Sequence, residues 1–300
     1  MGLFPMFEHL LTEQSHPGSG TLHLLATPEI LNLMSAADAE VSLAVKREVP
    51  KLAAAVDGIV SILEKGGHLA YIGAGTSGRL GVLDAAECPP TFHTPPDLVQ
   101  AVIAGGDIAL RRAVEGAEDD MAAGPRDLAA IGFSPSDVLV GISASGRTPY
   151  VLSAVAYAKS LGAVTCGISC TQASPLSELV DHPIEPWVGP EILTGSTRLR
   201  AGTATKLVLN MLSTAVMIRL GYVYGNLMVN VQPTNAKLED RARRIIQKAA
   251  GVSFERAAEL LELAGRDVRT AIVMEKKRVS REEAARLLKE ARGRLGDVLK

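Results

Sequence analysis

His68-Leu-Ala-Tyr-Ile-Gly-Ala-Gly-Thr-Ser-Gly-Arg79 passes from a short apolar run, through a glycine-rich loop, into a helical pattern. That is the beginning of a strand–loop–helix unit. The same grammar returns at Asp137 to Ile142, which leads into Gly141-Ile-Ser-Ala-Ser-Gly-Arg-Thr-Pro149. Further short apolar runs at Leu98 to Ala104, Ala163 to Ile168 and Pro183 to Val188 read as strands. Between them, helical patterns cover Arg79 to Glu87, stopped by Pro89-Pro90, then Ile108 to Glu118, and Thr148 to Leu161, opened by a Thr-Pro cap. Strands alternating with helices predict the α/β class, a doubly wound parallel sheet flanked by helices.

Outward from this core the texture changes on both sides. Before Gly66-Gly67 the chain reads as helical, with Thr27 as an N-cap followed by Pro28 and Glu29. A long Ala/Leu helix spans about Gly202 to Leu220. Beyond Gly221, four charged amphipathic helices are predicted at Thr234 to Ala250, Phe254 to Ala264, Val268 to Lys277 and Arg281 to Leu299, with Ser280 and Glu283 as a capping box for the last. The expected plan is a helical N-terminal arm (1–50), a central α/β domain (51–225) and a small C-terminal helical bundle (226–300).

Composition removes several functions. The 300 residues carry 31 Lys+Arg against 33 Asp+Glu, and only 4% are aromatic. Neither a basic stripe nor a base-stacking platform is available, so nucleic acid is not an expected partner. Cys88, Cys166 and Cys170 cannot all pair within one chain and no Cys/His array has zinc spacing, which predicts a reducing compartment and no metal. Met1 to Ser19 lacks the basic cluster and apolar run of a signal peptide, and Leu207 to Ile218 is shorter than the ~20 residues of a membrane span, so it is expected to be a core helix.

The chemistry is expected in the two loops. Glycines between a strand and a helix bring backbone N–H groups to an anion at the positive end of the helix dipole. Gly73-x-Gly75-x-x-Gly78 also fits a dinucleotide fingerprint, but Asp107 arrives about ten residues beyond where the acidic ribose ligand belongs, and no GxxxxGK[ST] occurs. What the loops do offer is hydroxyls: Thr76 and Ser77 in the first, Ser143, Ser145 and Thr148 in the second. Together they would make a phosphate cradle at the carboxyl edge of the sheet. The plainer alternative is that these residues only cap two helices.

Longer runs extend the pattern: Gly73 through Glu87-Cys-Pro-Pro-Thr-Phe92, Ala104-Gly-Gly with Glu115-Gly-Ala-Glu-Asp-Asp120, Gly189-Pro-Glu-Ile-Leu-Thr-Gly-Ser-Thr-Arg-Leu-Arg-Ala-Gly-Thr-Ala-Thr-Lys206, and Asn230 to Leu238. Across about Leu22 to Leu238 the chain resembles the sugar isomerase-type phosphosugar-binding family and, within it, the N-acetylmuramic acid 6-phosphate etherases. The third run also resembles a signature of the glucokinase regulatory protein, with Arg200 where Lys is expected, a change that keeps charge but not hydrogen-bond shape.

The resemblance implies cleavage of the D-lactyl ether of N-acetylmuramic acid 6-phosphate in cell-wall amino-sugar recycling, by elimination and then hydration. It implies no cofactor, a small phosphosugar as the partner, a cytoplasmic site of action, no membrane, and a homodimer. Such chemistry needs two carboxyl groups in opposite protonation states, one of them buried. By resemblance, Glu87 is the acid that protonates the lactyl oxygen and Glu118 the base at C2. Glu115, three residues earlier on the same predicted helix, is expected to bind sugar hydroxyls or to be the base itself.

The rest of the chain draws plainer readings. The six histidines are scattered, Cys88 is expected to pack as a small apolar group, and Cys166 and Cys170 to be buried. Trp187 stands alone, and Lys206 is equally suited to a ligand or to a surface ion pair. Two other functions use the same cradle: a phosphosugar-sensing regulator without catalysis, and an aldose–ketose isomerase. The Glu-Cys-Pro-Pro-Thr-Phe run favours the etherase by resemblance, and the chain has room for one such domain where the regulatory protein carries two.

Overall fold

Three consecutive helices precede the sheet, α1 (Thr27–Ala39), α2 (Val41–Arg47) and α3 (Val49–Leu63). The computed structural model describes residues 11–300, so the part of the predicted arm and of the Met1 to Ser19 reading that falls on residues 1–10 lies outside the described residues. Thr27 sits inside the first turn of α1 rather than capping it. Ala26 is the N-cap, and its N–H donates to the Glu29 carboxylate at 2.7 Å, so the acid three residues on does the capping.

The chain then alternates as predicted: β1 (Leu69–Gly73), α4 (Gly75–Phe92), β2 (Val99–Ile103), α5 (Ala123–Ala130), β3 (Val138–Ile142), α6 (Pro149–Ser160), β4 (Val164–Ile168), α7 (Pro175–Leu179), β5 (His182–Ile184) and α8 (Arg200–Arg219). All five strands are parallel, in the order β2-β1-β3-β4-β5. Every residue of β1 and β3 is buried, as a central strand covered on both faces requires. Leu128, Leu139, Tyr150, Val151, Ala154 and Val155, none of them exposed, form the core on one face. On α8, Val208, Leu209, Leu212, Val216 and Met217 are at most 1% exposed, as expected of a core helix.

Register sets the position of the loops. Gly73 lies beside Ile142, and Ile142 beside Ile168, so β1, β3 and β4 end level with one another. The chain leaves β1 toward β2 on one side and returns to β3 on the other, which makes the gap above β1 and β3 the switch point where such sheets take ligands.

Three of these predicted elements change. The helix from Arg79 runs on to Phe92 through Pro89 and Pro90, whose fixed φ is already helical; the turn ends at His93, in the left-handed region at φ +54°. The helix predicted at Ile108 to Glu118 is absent. In its place are short 3₁₀ turns at Gly106–Leu110 and Ala117–Asp119, because Gly116 adopts φ +73° and interrupts any helix through it. α5 follows instead, with the Asp120 carboxylate accepting from the N–H groups of Ala122 at 3.0 Å and Ala123 at 3.1 Å. The last strand stops at Ile184, since the N–H of Glu185 turns away to Glu48, 2.9 Å away.

The chain divides into two compact units, one running up to Ala85 and over Asp97–Leu212, the other comprising Ala86–Pro96 and Ser213–Lys300. The second holds α9 (Ala236–Ala250), α10 (Phe254–Leu263), α11 (Val268–Lys277), α12 (Arg281–Glu290) and α13 (Leu295–Leu299) around Ile246, Leu261, Ala271 and Ile272. The helix predicted at Arg281 to Leu299 is thus two, broken where Arg292 and Gly293 both take positive φ. Asn235, Ser253, Asp267 and Ser280 cap α9 to α12 with their side chains. Glu283 pairs with Arg286, one turn on, at 2.6 Å.

At the amino edge of the sheet two aspartates hold strand starts. Asp137 accepts from the N–H of His68 at 2.8 Å and from the N–H and hydroxyl of Ser134, at 2.7 and 2.8 Å. Asp181 accepts from the N–H and hydroxyl of Thr165, at 2.9 and 2.8 Å, and pairs with Lys159 at 3.0 Å. Burial pushes both carboxyls up, but these donors outweigh it and hold both below the usual carboxylate range. A carboxyl whose pKa is lower folded than unfolded contributes stability above the unfolded value, about 3.9, and loses it as pH falls through the folded one. The melting temperature should therefore fall below about pH 4, and Asp137→Asn should lower it at pH 7 while shrinking that acid-induced fall. Thermal unfolding at pH 7 and pH 3.5 tests this; an unchanged acid-induced fall in the variant would exclude Asp137 as a source.

Candidate active site

The loop after β1 is set by close backbone approach. A Cβ at Gly73 would stand 2.7 Å from the N of Gly78, and one at Gly78 would stand 2.6 Å from the carbonyl oxygen of Gly73. Only glycines let the strand end lie directly on the first turn of α4. Thr76 and Ser77 fall in that first turn, half-buried, where helix N–H groups lack intrahelical acceptors. Neither hydroxyl has a protein partner among the described residues. The start of α8 is close by: a Cβ at Gly202 would stand 3.5 Å from Thr76 Cγ2.

The loop after β3 gathers its hydroxyls. Ser143, 3% exposed, shares a hydrogen bond of 2.8 Å with Thr148, and Ser145 lies 3.5 Å from Ser143. Thr148 occupies the N-cap position of α6 without capping it by its side chain, so simple helix capping does not account for this hydroxyl. Gly146 bends the loop at φ +65°. The Arg147 N–H donates to Ser145 at 3.3 Å, while its buried Nε is without a partner among the described residues.

The acidic segment lies against the first loop. A cavity of about 200 Å³ is lined by Gly75 and Arg79 from the start of α4 and by Val114, Glu115 and Glu118. Arg79 connects the two: its Nε donates to the carbonyl oxygen of Leu110 at 3.3 Å and its Nη2 to that of Arg112 at 3.5 Å. Glu115 and Glu118 thus reach one cavity from a loop and a 3₁₀ turn, and not from the shared helical face expected of them. The tethering role of Arg79 has no sequence signal, because it depends on carbonyls more than thirty residues away.

Glu87 is on the last turns of α4 and belongs to the second unit. Glu87 and Glu118 are both exposed in the single chain, which corrects the expectation that one is buried: no element of its own unit covers either side chain. Cys88 is 2% exposed. Burial pushes the thiols of Cys166 and Cys170 up to about 12, which leaves both as inert packing groups.

In the third run, Glu191 and Arg200 hold the start of α8 in place. Glu191, 2% exposed, accepts from the N–H groups of Arg200 and Ala201, both at 2.9 Å, and so closes the N-terminus of α8. Arg200, 3% exposed, donates to Glu40 at 2.8 Å and to the carbonyl oxygen of Pro190 at 3.0 Å. The fork of Arg reaches two acceptors at once, which the point charge of Lys does less well.

Comparisons with known proteins agree with this architecture. The glucokinase regulatory protein N-terminal SIS domain matches residues 51–159, and the SIS domain matches residues 126–215. The N-acetylmuramic acid 6-phosphate etherase of Geobacillus thermodenitrificans is 51% identical over 288 residues, 96% of this chain and 98% of that protein. Its counterpart from Rubrobacter xylanophilus is 52% identical over 279 residues, 93% of each chain. The solved phosphoheptose isomerase from Francisella tularensis superposes with a TM-score of 0.50 at 22% identity, covering 65% of this chain and 100% of that one, and so bears on the fold alone.

Proposed function

The chain belongs to the N-acetylmuramic acid 6-phosphate etherase family, and on that footing we propose that its two hydroxyl loops hold the phosphate while Glu118 and Glu87 carry out the cleavage. The enzyme is a carbon–oxygen lyase of amino-sugar recycling, splitting the D-lactyl ether of N-acetylmuramic acid 6-phosphate into N-acetylglucosamine 6-phosphate and D-lactate. Identity near 50% over almost the whole chain sets the regulator and the isomerase aside. The observation that carries the site reading is the cavity shared by Glu115, Glu118 and the first phosphate loop.

In this reading, Thr76, Ser77, Ser143, Ser145 and Thr148 bind the phosphate with the start of α4. The open-chain aldehyde acidifies the proton at C2, and Glu118 removes it. The electron pair becomes the C2–C3 double bond as the C3–O bond breaks, with Glu87 giving its proton to the departing lactyl oxygen. Water then adds to the unsaturated aldehyde, hydroxyl to C3 and proton to C2. Glu115 binds sugar hydroxyls beside the base. Acid–base catalysis of this kind contributes about 10²–10⁴-fold per group.

We place the reaction in the cytoplasm and read the working form as a homodimer. Supporting a dimer, Leu83 is 51% exposed one turn before Glu87 on α4, and on α8 Met211 is 43% and Ile218 50% exposed. Large apolar side chains left open to solvent are what a symmetric partner covers. A second copy would also supply the burial that the acid lacks in the single chain.

Turnover in H₂¹⁸O should put label on C3 of the amino sugar and none in lactate, and turnover in D₂O should put deuterium on C2. Label in lactate, or C3 left without label, would rule out elimination followed by hydration.

A further inference from the structure

A second cavity, of about 480 Å³, is lined by His16, Glu40 and Arg47 on one side and by Trp187, Gly189 and Arg200 on the other. None of these residues belongs to the hydroxyl loops or the acidic segment, and the volume falls in the range of small-molecule sites, about 300–1,000 Å³.

Its charge is unbalanced. Arg200 is 3% exposed and neutralised by Glu40, with Nε lacking a partner among the described residues. Arg47 is exposed and has no carboxylate partner among the described residues. His16 accepts the N–H of Gly18 on Nδ1 at 3.1 Å, so the neutral ring carries its proton on Nε2 and offers a second donor. Trp187 is 49% exposed and supplies a flat apolar face. One free positive charge, spare donors and an indole in a single cavity suit a monoanion carried on a ring, and Glu40 disfavours a second negative charge.

We propose that this cavity binds a carboxylate-bearing sugar ring, its carboxylate on Arg47 and its ring against Trp187, as a site separate from the phosphate cradle. Trp187 is the only tryptophan of the chain, so its emission reports on this cavity alone. Titration of the full chain with unphosphorylated N-acetylmuramic acid should give a saturable change in emission. N-acetylglucosamine, which lacks the carboxylate, and D-lactate, which lacks the ring, should each bind at least tenfold more weakly. Arg47→Ala should weaken N-acetylmuramic acid at least tenfold, while Ser143→Ala should leave its Kd within twofold. The proposal fails if emission does not respond, if N-acetylglucosamine binds equally well, if Ser143→Ala rather than Arg47→Ala removes the response, or if emission follows protein concentration, which would mean that a second copy covers this face.

Discussion

Replacing Glu118 by Gln is expected to slow D-lactate release by about 10²–10⁴-fold, the usual loss when a general base is removed. Gln keeps the size and hydrogen-bonding shape of the side chain but cannot take the C2 proton. Because Glu118 is exposed and belongs to a short 3₁₀ turn, the fold should be little affected, with the melting temperature moving by no more than about 1–2 °C. Glu115→Gln serves as the paired measurement. It lines the same cavity, and its loss should mainly raise KM. Exchange of deuterium into C2 separates the two, since only the base is needed for that step. If Glu115→Gln stops exchange and Glu118→Gln does not, the two roles are reversed; if neither does, the base lies elsewhere.

Glu191→Ala is expected to have the largest effect on stability. The side chain is 2% exposed and accepts from two N–H groups at the start of α8, each 2.9 Å away. An orphaned buried donor costs about 1–3 kcal/mol, so orphaning two of them should cost roughly 2–6 kcal/mol. For a chain of this size that is a fall of roughly 5–15 °C in melting temperature. Glu191→Gln keeps one oxygen acceptor but turns an amide toward the other N–H, and should fall between the wild type and Ala. Because Gly202 lies beside Thr76, a loosened α8 should also raise KM. A melting temperature within 1–2 °C of wild type in Glu191→Ala would show that water or a shifted backbone replaces the carboxylate.

The sheet was legible because its signals are local. Runs such as Leu69–Gly73 and Val138–Ile142 are apolar throughout, as strands buried on both faces must be, and each is followed by a glycine and hydroxyl loop. Where a local signal competed with another, the reading failed. Pro89-Pro90 reads as a stop, yet both prolines suit a helical φ, and the left-handed His93 ends α4. The apolar spacing from Ile108 reads as a helix, yet the φ of +73° at Gly116 forbids one, and Asp120 starts α5 a few residues later.

The sequence by itself determined the parallel α/β class, the two loops and the acidic residues to consider, because strand burial, glycine conformation and helix capping act over a few residues. Only the tertiary structure decided that Arg79 ties the acidic segment to the loop after β1, that Glu191 closes α8, and that Arg47 and Trp187 share a cavity. Those relations join residues from nine to about 140 positions apart in the chain, and neither spacing nor propensity carries them; they exist only once the register of the sheet has placed its ends side by side.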